Sequence, residues 1–187
     1  MGGAALLSRV RSIGWLGAAE VVTPERTLRL GIRTRVEPFV RASSTSWIMS
    51  EGVAKARTLM IEPDAGYVER DGKRTPLPRD QERHEREQYG LYAYMLLRAP
   101  MVEAGGKLLA ASEGLPPIRF DTDIAGRLTG ADYTVHAPDG GTVIQQRFTF
   151  DGIVRDKGLA WPRRIRIAQD GIPFFTLAID SLRVELA

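Results

Sequence analysis

Hydrophobic and polar residues alternate with a period of two along most of the chain. In residues 26–36, Leu28, Leu30 and Ile32 share one face of the segment, whereas arginines share the other. This alternation is typical of antiparallel strands that are buried on one face only. Asp-Gly pairs, the strongest short-range signal of a β-hairpin, separate several such runs, for example at 71–72 and 170–171. The pattern predicts roughly nine to eleven strands in an up-and-down antiparallel sheet.

The last run, residues 172–186, changes phase part-way along. Phe175 and Leu177 occupy odd positions, whereas Leu182 and Val184 occupy even ones. A regular strand cannot keep all four on one face, because its side chains alternate strictly. We therefore predict a β-bulge or sharp bend near residues 180–181, which would add to the curvature of the sheet.

Two segments carry a helical pattern. Residues 4–12 predict a short N-terminal helix, and residues 80–98 predict a longer one after the breaker sequence PLPRD. The first half of the longer segment is strongly charged, whereas YGLYAYMLL is apolar on nearly every side, so protein must surround it. We expect a mainly β (α+β) fold: a strongly curved antiparallel up-and-down sheet or incomplete barrel, whose mid-chain helix covers the concave face.

The composition fits a single domain over residues 1–187. The sequence is 43% hydrophobic and 26% charged, as in ordinary soluble domains. It has no cysteine, which excludes disulfides, thiol catalysis and cysteine-based metal sites. No run approaches the roughly 18 apolar residues of a transmembrane helix. MGGAALLSRV also lacks the basic start and long apolar run of a signal peptide. These features predict either a cytoplasmic protein or a mature envelope protein without its leader.

The basic residues follow the strand alternation. The net charge is +3, and only four of the 26 basic residues are lysine. In LAWPRRIRIAQ, Arg164 and Arg166 alternate with Ile165 and Ile167, which predicts that the arginines form the wet face of a one-sided sheet. No exposed aromatic residues are interleaved with them in the manner of RNA-binding sheets. We therefore expect no nucleic-acid partner.

The sequence contains no recognisable catalytic, metal-binding or cofactor-binding motif. His84 begins HEREQ, so the second histidine of a zinc-protease HExxH helix is replaced by Gln88. We expect His84 and His136 to lie at the surface. GxSxG, P-loop and GxGxxG sequences are also absent. No catalytic residue, metal site or cofactor is predicted.

The C-terminal stretch GIVRDKGLAWPRRIRIAQDGIPFFTLAIDSLRVEL carries a family resemblance. Its succession of strand, short turn, G-L-x-x-P strand, Asp-Gly turn and strand resembles the closing strands of the bacterial lipoprotein-carrier (LolA/LolB-like) superfamily. That resemblance implies an incomplete barrel closed by helices, an apolar interior that receives acyl chains, and a periplasmic location. The chain has no lipobox cysteine, and Arg29, Arg33 and Arg35 all compete for the position of the carriers' functional arginine. We therefore identify it as a member outside the true carriers.

The predicted function is the non-catalytic binding of a lipid, acylated or other apolar ligand in the periplasm or cell envelope, where an envelope protein is a further candidate partner. A structural or protein-interaction domain with a filled core is one alternative. An enzyme on the same fold is another, and it would require buried, charge-perturbed carboxylates or His84 facing inward. The residues predicted to line the ligand cavity are Leu28, Leu30, Ile32, Trp47, Tyr89, Tyr92, Met95, Phe148, Phe150, Trp161, Ile165 and Phe175.

Overall fold

A computed structural model describes the whole chain, residues 1–187. It contains thirteen strands, two α-helices and one short 3-10 helix. The helices are α1 (Ala4–Leu7), α2 (Arg79–Met95) and the 3-10 helix (Val53–Lys55). The strands are β1 (Val10–Val22), β2 (Thr27–Glu37), β3 (Arg41–Ile48), β4 (Arg57–Glu62), β5 (Ala65–Arg70), β6 (Lys73–Pro76), β7 (Met101–Ala104), β8 (Lys107–Ser112), β9 (Leu115–Thr122), β10 (Leu128–His136), β11 (Val143–Asp156), β12 (Leu159–Gln169) and β13 (Ile172–Leu186).

All thirteen strands form one antiparallel sheet with the order β6-β5-β4-β3-β2-β1-β13-β12-β11-β10-β9-β8-β7. The chain thus begins and ends in the middle of the sheet, where β1 pairs with β13. The short strands β6 and β7 form the two edges, and α2 connects them, so the sheet does not close on itself. This confirms the predicted incomplete barrel with a mid-chain helix, although the strand count exceeds nine to eleven because β6, β7 and β8 lack clear alternation.

The predicted turns and the predicted bulge are both present. Asp71-Gly72 joins β5 to β6, and Asp170-Gly171 joins β12 to β13, each with positive φ at both residues, as a type I′ turn requires. In the β1–β13 ladder, Leu16 pairs with Ser181 and Gly17 pairs with Ile179. Asp180 is therefore the extra residue, and the phase of β13 shifts there as the sequence indicated.

The N-terminal helix is shorter than expected. It ends at Leu7, and Val10 already belongs to β1, so the predicted extent of residues 4–12 is wrong. Pairing with β13 from Val10 onwards decides the conformation, and Val10 and Ile13 both enter the core on either side of a register shift. Neither helix has the length and apolarity needed to cross a membrane.

The apolar half of helix α2 is enclosed by other parts of the protein, as its composition predicted. Leu91, Tyr94 and Met95 are at most 1% exposed, and the surrounding core contains Ile118 and Tyr133 from β9 and β10. The tyrosine hydroxyls reach backbone acceptors, because Tyr94 donates to the Pro116 carbonyl at 3.1 Å and Tyr133 donates to the Glu87 carbonyl at 2.9 Å. These side chains form a closely packed core on this side of α2. The opposite face of α2 borders the cavity described next.

Candidate functional site

A cavity of about 320 Å³ lies between α2 and the concave face of β1–β4, β12 and β13. Eleven of its eighteen lining residues are hydrophobic, and the polar ones gather towards the N-terminal half of α2 and the neighbouring strands. The apolar lining consists of Trp15, Val21, Leu30, Ile32, Leu59, Tyr89, Tyr92, Ile167, Phe174, Phe175 and Leu177. The polar lining consists of Thr34, Ser44, Ser46, Arg57, His84, Glu85 and Gln88.

The helix supplies one wall of the cavity through a single stripe. Glu85, Gln88, Tyr89 and Tyr92 are spaced i, i+3, i+4 and i+7, which places them on one side of an α-helix. The two phenol rings are 6.1 Å apart, and burial raises the pKa of both hydroxyls well above the usual range. Both tyrosines therefore remain neutral at physiological pH, and they present partly accessible rings to the cavity.

Small side chains on β3 explain why α2 does not fill the space. The inward positions of β3 are Ala42, Ser44 and Ser46, which pair with Val36, Thr34 and Ile32 of β2 respectively. Ser44 satisfies its hydroxyl locally, because its Oγ lies 2.9 Å from Thr34 Oγ1. A row of short side chains opposite a helix leaves a void that a bulky strand would have filled.

An aromatic cluster separates the cavity from the solid core. The Trp15 and Tyr92 rings meet edge-on with centroids 4.9 Å apart. Trp161 stands 6.5 Å from Trp15 and 6.2 Å from Tyr92. Trp15 and Trp161 are at most 4% exposed. Rigid, well-packed rings of this kind fix the floor of the cavity.

Charge is concentrated at one end of the cavity. Burial raises the pKa of the Glu85 carboxyl above its ordinary value, and the neighbouring His84 and Arg57 lower it only in part. Arg57 is exposed at the start of β4, and it lines the same end. The site is therefore amphipathic: an apolar interior leads to an end that offers a guanidinium, a carboxyl group and serine hydroxyls.

His84 is buried, which overturns its expected position at the surface. Its side chain is 9% exposed, and its Nδ1 lies 2.6 Å from the backbone carbonyl of His136. In the neutral ring, Nδ1 therefore carries the hydrogen and donates a hydrogen bond to this carbonyl, which leaves Nε2 as an acceptor. Gln88 Nε2 lies 3.4 Å from that acceptor. No sequence pattern marks this burial, because charged neighbours surround His84 along the chain.

Glu87 anchors α2 to the end of β10, and sequence analysis missed it. Its carboxylate is 3% exposed. It accepts hydrogen bonds from the backbone N–H of His136 at 2.7 Å, from His136 Nδ1 at 2.8 Å and from Arg83 Nε at 3.1 Å. The predicted surface position of His136 is thus replaced by a half-exposed ring paired with a buried carboxylate. This clamp holds the charged half of α2 beside the cavity.

The predicted cavity residues divide into those that line it and those that do not. Leu30, Ile32, Tyr89, Tyr92 and Phe175 line the cavity. Leu28 is half-buried on the same face of β2, opposite Val21, but lies beyond the lining. The remaining inward residues belong to the packed core, where each is at most 7% exposed: Met95, Phe148, Phe150, Trp161 and Ile165.

Trp47 is on the opposite face of the sheet, so its predicted place in the cavity is wrong. It pairs with Gly31, whose neighbours Leu30 and Ile32 point into the cavity. A Cβ atom added to Gly31 would lie 2.2 Å from the Trp47 ring, so the indole covers this glycine from outside. The missing side chain of Gly31 is the reason that the ring can lie flat there.

The position of Glu85 yields a stability prediction. The unfolded carboxyl has an ordinary pKa and the folded one a raised pKa. The folded state therefore binds more protons between the two values, and the free energy of unfolding falls as the pH rises through that interval. We expect Glu85→Gln to remove this loss and to raise the urea midpoint at pH 7, with a smaller difference at pH 4.

The control for this experiment is Glu51→Gln, which changes an exposed carboxylate outside the cavity. Urea titrations of the three proteins at several pH values give the comparison. Superimposable pH profiles of the wild type and Glu85→Gln would contradict the assignment of Glu85 as a desolvated carboxyl. A lower midpoint of Glu85→Gln at pH 7 would contradict it as well.

Comparisons with known proteins identify the fold but no function. No protein-family model matches the sequence, and no curated protein matches it. Among solved structures, a LolA superfamily protein from Nitrosomonas europaea superposes with a TM-score of 0.58 at 8% identity, covering 100% of this chain and 95% of that one. A domain from Vibrio parahaemolyticus, named for outer membrane lipoprotein sorting, gives 0.57 at 7% identity and covers 93% and 85%.

A third structure extends the likeness. A DUF1329 family protein from Desulfovibrio piger superposes with a TM-score of 0.53 at 10% identity, covering 97% of this chain and 89% of that one. In all three cases the match covers at least 93% of this chain. The protein therefore has the LolA-like fold, an open antiparallel half-barrel with a helix in its concavity.

Proposed function

We propose that the protein binds an amphipathic lipid, with an acyl chain in the cavity and a polar head at the end marked by Arg57 and Glu85. The observation that carries this proposal is the cavity itself. Eleven of its eighteen lining residues are apolar, and charged and hydroxyl groups complete the lining. Concave, mostly apolar sites with a few placed polar groups are the usual form of small-molecule binding sites.

The size of the cavity sets the expected length of the chain that it holds. A methylene group occupies about the same space as a water molecule in the liquid, about 30 Å³. A volume of about 320 Å³ therefore accommodates roughly ten methylene groups. Each buried methylene contributes about 0.8 kcal/mol before ordering costs are subtracted. Affinity should rise about fourfold for each added methylene and level off at roughly ten.

The charged end orients the ligand. The Arg57 guanidinium forms no ion pair with Glu85 and is free to meet an anionic head. Guanidinium groups hydrogen-bond carboxylate and phosphate in a bidentate manner. Ser46 presents its hydroxyl to the cavity between Ile32 and Arg57 in the sheet register. A head with a carboxylate or phosphate therefore fits this end better than a neutral one.

We place this binding in the cell envelope, with an envelope protein as the partner that delivers or receives the lipid. A solved structure with the same fold is named for outer membrane lipoprotein sorting, and this supports the assignment. Binding of this kind requires no cofactor and no metal.

The test is a chain-length series of saturated fatty acids that compete with a fluorescent fatty acid for the purified protein. We expect saturable binding, an affinity that climbs from six to about ten or twelve carbons, and a plateau beyond that. Fatty alcohols of equal length should bind more weakly than the acids. Arg57→Gln should remove this difference, because the variant lacks the cation that meets the carboxylate.

Three results would overturn the proposal. They are the absence of saturable binding for every chain length, an affinity independent of length, and an affinity that keeps rising well past twelve carbons. The last result would locate the probe on an external apolar surface instead of in a cavity of limited volume. Loss of saturable probe binding in the variant Ser46→Trp would independently distinguish binding in the cavity from binding on an external surface.

The charged end also favours a second candidate, an enzyme that acts on a lipid ester. His84 faces inward with Gln88 3.4 Å from its Nε2, and Glu85 is a partly buried carboxyl of raised pKa, so both features that could mark an enzyme on this fold are present. Against it, Ser44 bonds with Thr34 and not with His84. Hydrolysis of p-nitrophenyl decanoate, abolished by His84→Ala and unaffected by Glu51→Gln, would establish this candidate; no turnover above the buffer rate would exclude this substrate.

A further inference from the structure

The outer face of the sheet carries a basic groove along the β1–β13 seam. Two depressions of about 400 and 550 Å³ lie end to end on this face, one beside Ser12–Leu16 and the other beside Ala18–Glu20. Small residues such as Gly14, Ala18 and Ala178 form much of the floor. Apart from Met49 in the turn after β3, every lining residue belongs to β1, β2, β12 or β13. Six arginines border the two depressions: Arg29, Arg33, Arg35, Arg164, Arg166 and Arg183.

The charge of this groove is only partly balanced locally. Its lining carboxylates are Glu20, 3.2 Å from Arg29, and Glu185, 2.8 Å from Arg35. Two carboxylates beside the lining also contact its arginines, because Glu37 pairs with Arg35 and Asp151 lies 3.8 Å from Arg164. Six arginines against these four carboxylates leave a net charge of +2, which is most of the +3 that the whole chain carries. An excess of basic charge along one groove attracts an acidic partner to that groove.

Three of the arginines form no ion pair. Arg33, Arg166 and Arg183 are exposed, and no carboxylate lies within 4.0 Å of their guanidinium groups. On the other half of the same face the basic side chains are paired, because Lys107 and Arg147 each contact both Asp121 and Asp132. Burial alone would raise the pKa of both aspartates, but hydrogen bonds from Lys107 and Arg147 outweigh it and lower that pKa.

We propose that this groove, defined by the two depressions and their six arginines, docks an acidic helical segment of a protein partner. The arginine rows of β2 and β12 stand on strands separated by β1 and β13, so about three strand spacings, or roughly 14 Å, separate them. An α-helix with its side chains is about 10–12 Å wide. The groove length from Ser12 to Glu20 is about 27 Å, which matches about 18 residues of helix.

The chemistry of the groove favours this occupant over other polyanions. Leu16 on the floor is 40% exposed and Met49 at one end is 56% exposed, so a helix with a mixed acidic and apolar face gains both kinds of contact. The outer face of a half-barrel curves away from a flat bilayer, which would meet only a few of the arginines at once. A DNA duplex is about twice as wide as a helix and would span the rows without entering the groove.

The experiment measures binding of a fluorescein-labelled alanine helix of about 18 residues, with glutamate at every third or fourth position, by anisotropy. The full-length protein is compared with Arg33→Gln/Arg166→Gln/Arg183→Gln. The matched control is Arg79→Gln/Arg119→Gln/Arg155→Gln, which removes the same charge from three exposed arginines that form no ion pair and lie outside the groove. Circular dichroism and urea midpoints verify that both triples fold.

We expect the groove triple to weaken binding by about tenfold or more and the control triple by less than about twofold, with affinity falling as salt rises. A glutamine version of the peptide should not bind. Equal losses in both triples would overturn the proposal, because the interaction would then reflect net charge alone. Tighter, groove-dependent binding of phosphatidylglycerol vesicles or duplex DNA would also overturn it. So would the absence of peptide binding by the wild type at about 0.1 M salt. The cavity is on the opposite face, so none of these results depends on lipid binding.

Discussion

Replacing Ser46 with tryptophan is expected to abolish lipid binding while leaving the protein folded. Ser46 is one of the short inward side chains of β3 that keep the cavity open, and it stands between Ile32 and Arg57 across the sheet. An indole at this position would occupy the void and not displace any packed neighbour. The fluorescent fatty acid that binds the wild type should show no saturable binding to Ser46→Trp.

Ser43→Trp is the matched control, because it makes the same change three residues away on the other face of β3. Ser43 pairs with Arg35 and Met60, which point away from the cavity. We expect its lipid affinity to stay within about twofold of the wild type. Retained binding by Ser46→Trp, together with a wild-type-like circular dichroism spectrum, would mean that the probe binds elsewhere. Equal loss in both variants would point to an effect on the sheet and not on the cavity.

The strands that sequence analysis predicted best are those in which large apolar and charged residues alternate without exception. In β12, Ile165 and Ile167 are buried, whereas Arg164 and Arg166 are exposed, as the pattern required. In β13 the change of phase located the bulge to within a residue of Asp180. Both strands are buried on one face only, so each side chain points either into the core or into solvent. These two placements differ greatly in burial free energy, which is why the alternation predicts them well.

The alternation failed on β3 because the cavity itself removes the signal. The inward positions of that strand are small or hydroxylated, since they border a void, and its largest residue, Trp47, is outside. A rule that places aromatic residues inside therefore gave the wrong face. The useful signal was in the partner strand, where Gly31 interrupts an otherwise regular series of arginines on the outer face and leaves room for a cross-strand indole.

The charged half of α2 could not be interpreted from the sequence for a different reason. His84 and Glu87 lie three positions apart in a run that is polar throughout, so no hydrophobic periodicity marks them as buried. Their burial results from contact with the end of β10, which supplies the carbonyl and the amide of His136. This burial depends on which strand end lies against α2 in the folded chain, and the local sequence around His84 does not specify that contact.

The two faces of the same central strands thus serve opposite purposes. On β2, Leu30 and Ile32 line an apolar cavity, while Arg29 and Arg33, adjacent in the chain, line a basic groove. Only a single sheet separates the cavity from the groove. A partner that twisted the sheet at the β1–β13 seam would therefore also change the walls of the cavity. Substitutions on the two faces of one strand test whether the faces contribute independently to stability. Strand β12 offers such positions on both faces.

Replacing Ile165 with alanine is expected to cost about 2–5 kcal/mol of unfolding free energy, as large-to-small changes in packed cores do. Ile165 is 0% exposed, and its cross-strand neighbours are Phe150 and Leu177, each at most 7% exposed. Neither neighbour can move into the space, because strand pairing fixes both backbones. Urea unfolding monitored by tryptophan fluorescence measures this loss.

The arginines on either side of Ile165 provide the comparison. Arg164 approaches only Asp151, at 3.8 Å and with both side chains more than half exposed, and Arg166 forms no ion pair. Exposed pairs of this kind contribute about 1 kcal/mol at most, so Arg164→Gln/Arg166→Gln should change the unfolding free energy by less than about 1 kcal/mol. Severe losses in both variants would mean that something covers the outer face of the sheet. A small loss in Ile165→Ala would mean that the centre of β12 is not packed, and the partition between a solid core and a separate cavity would then be wrong.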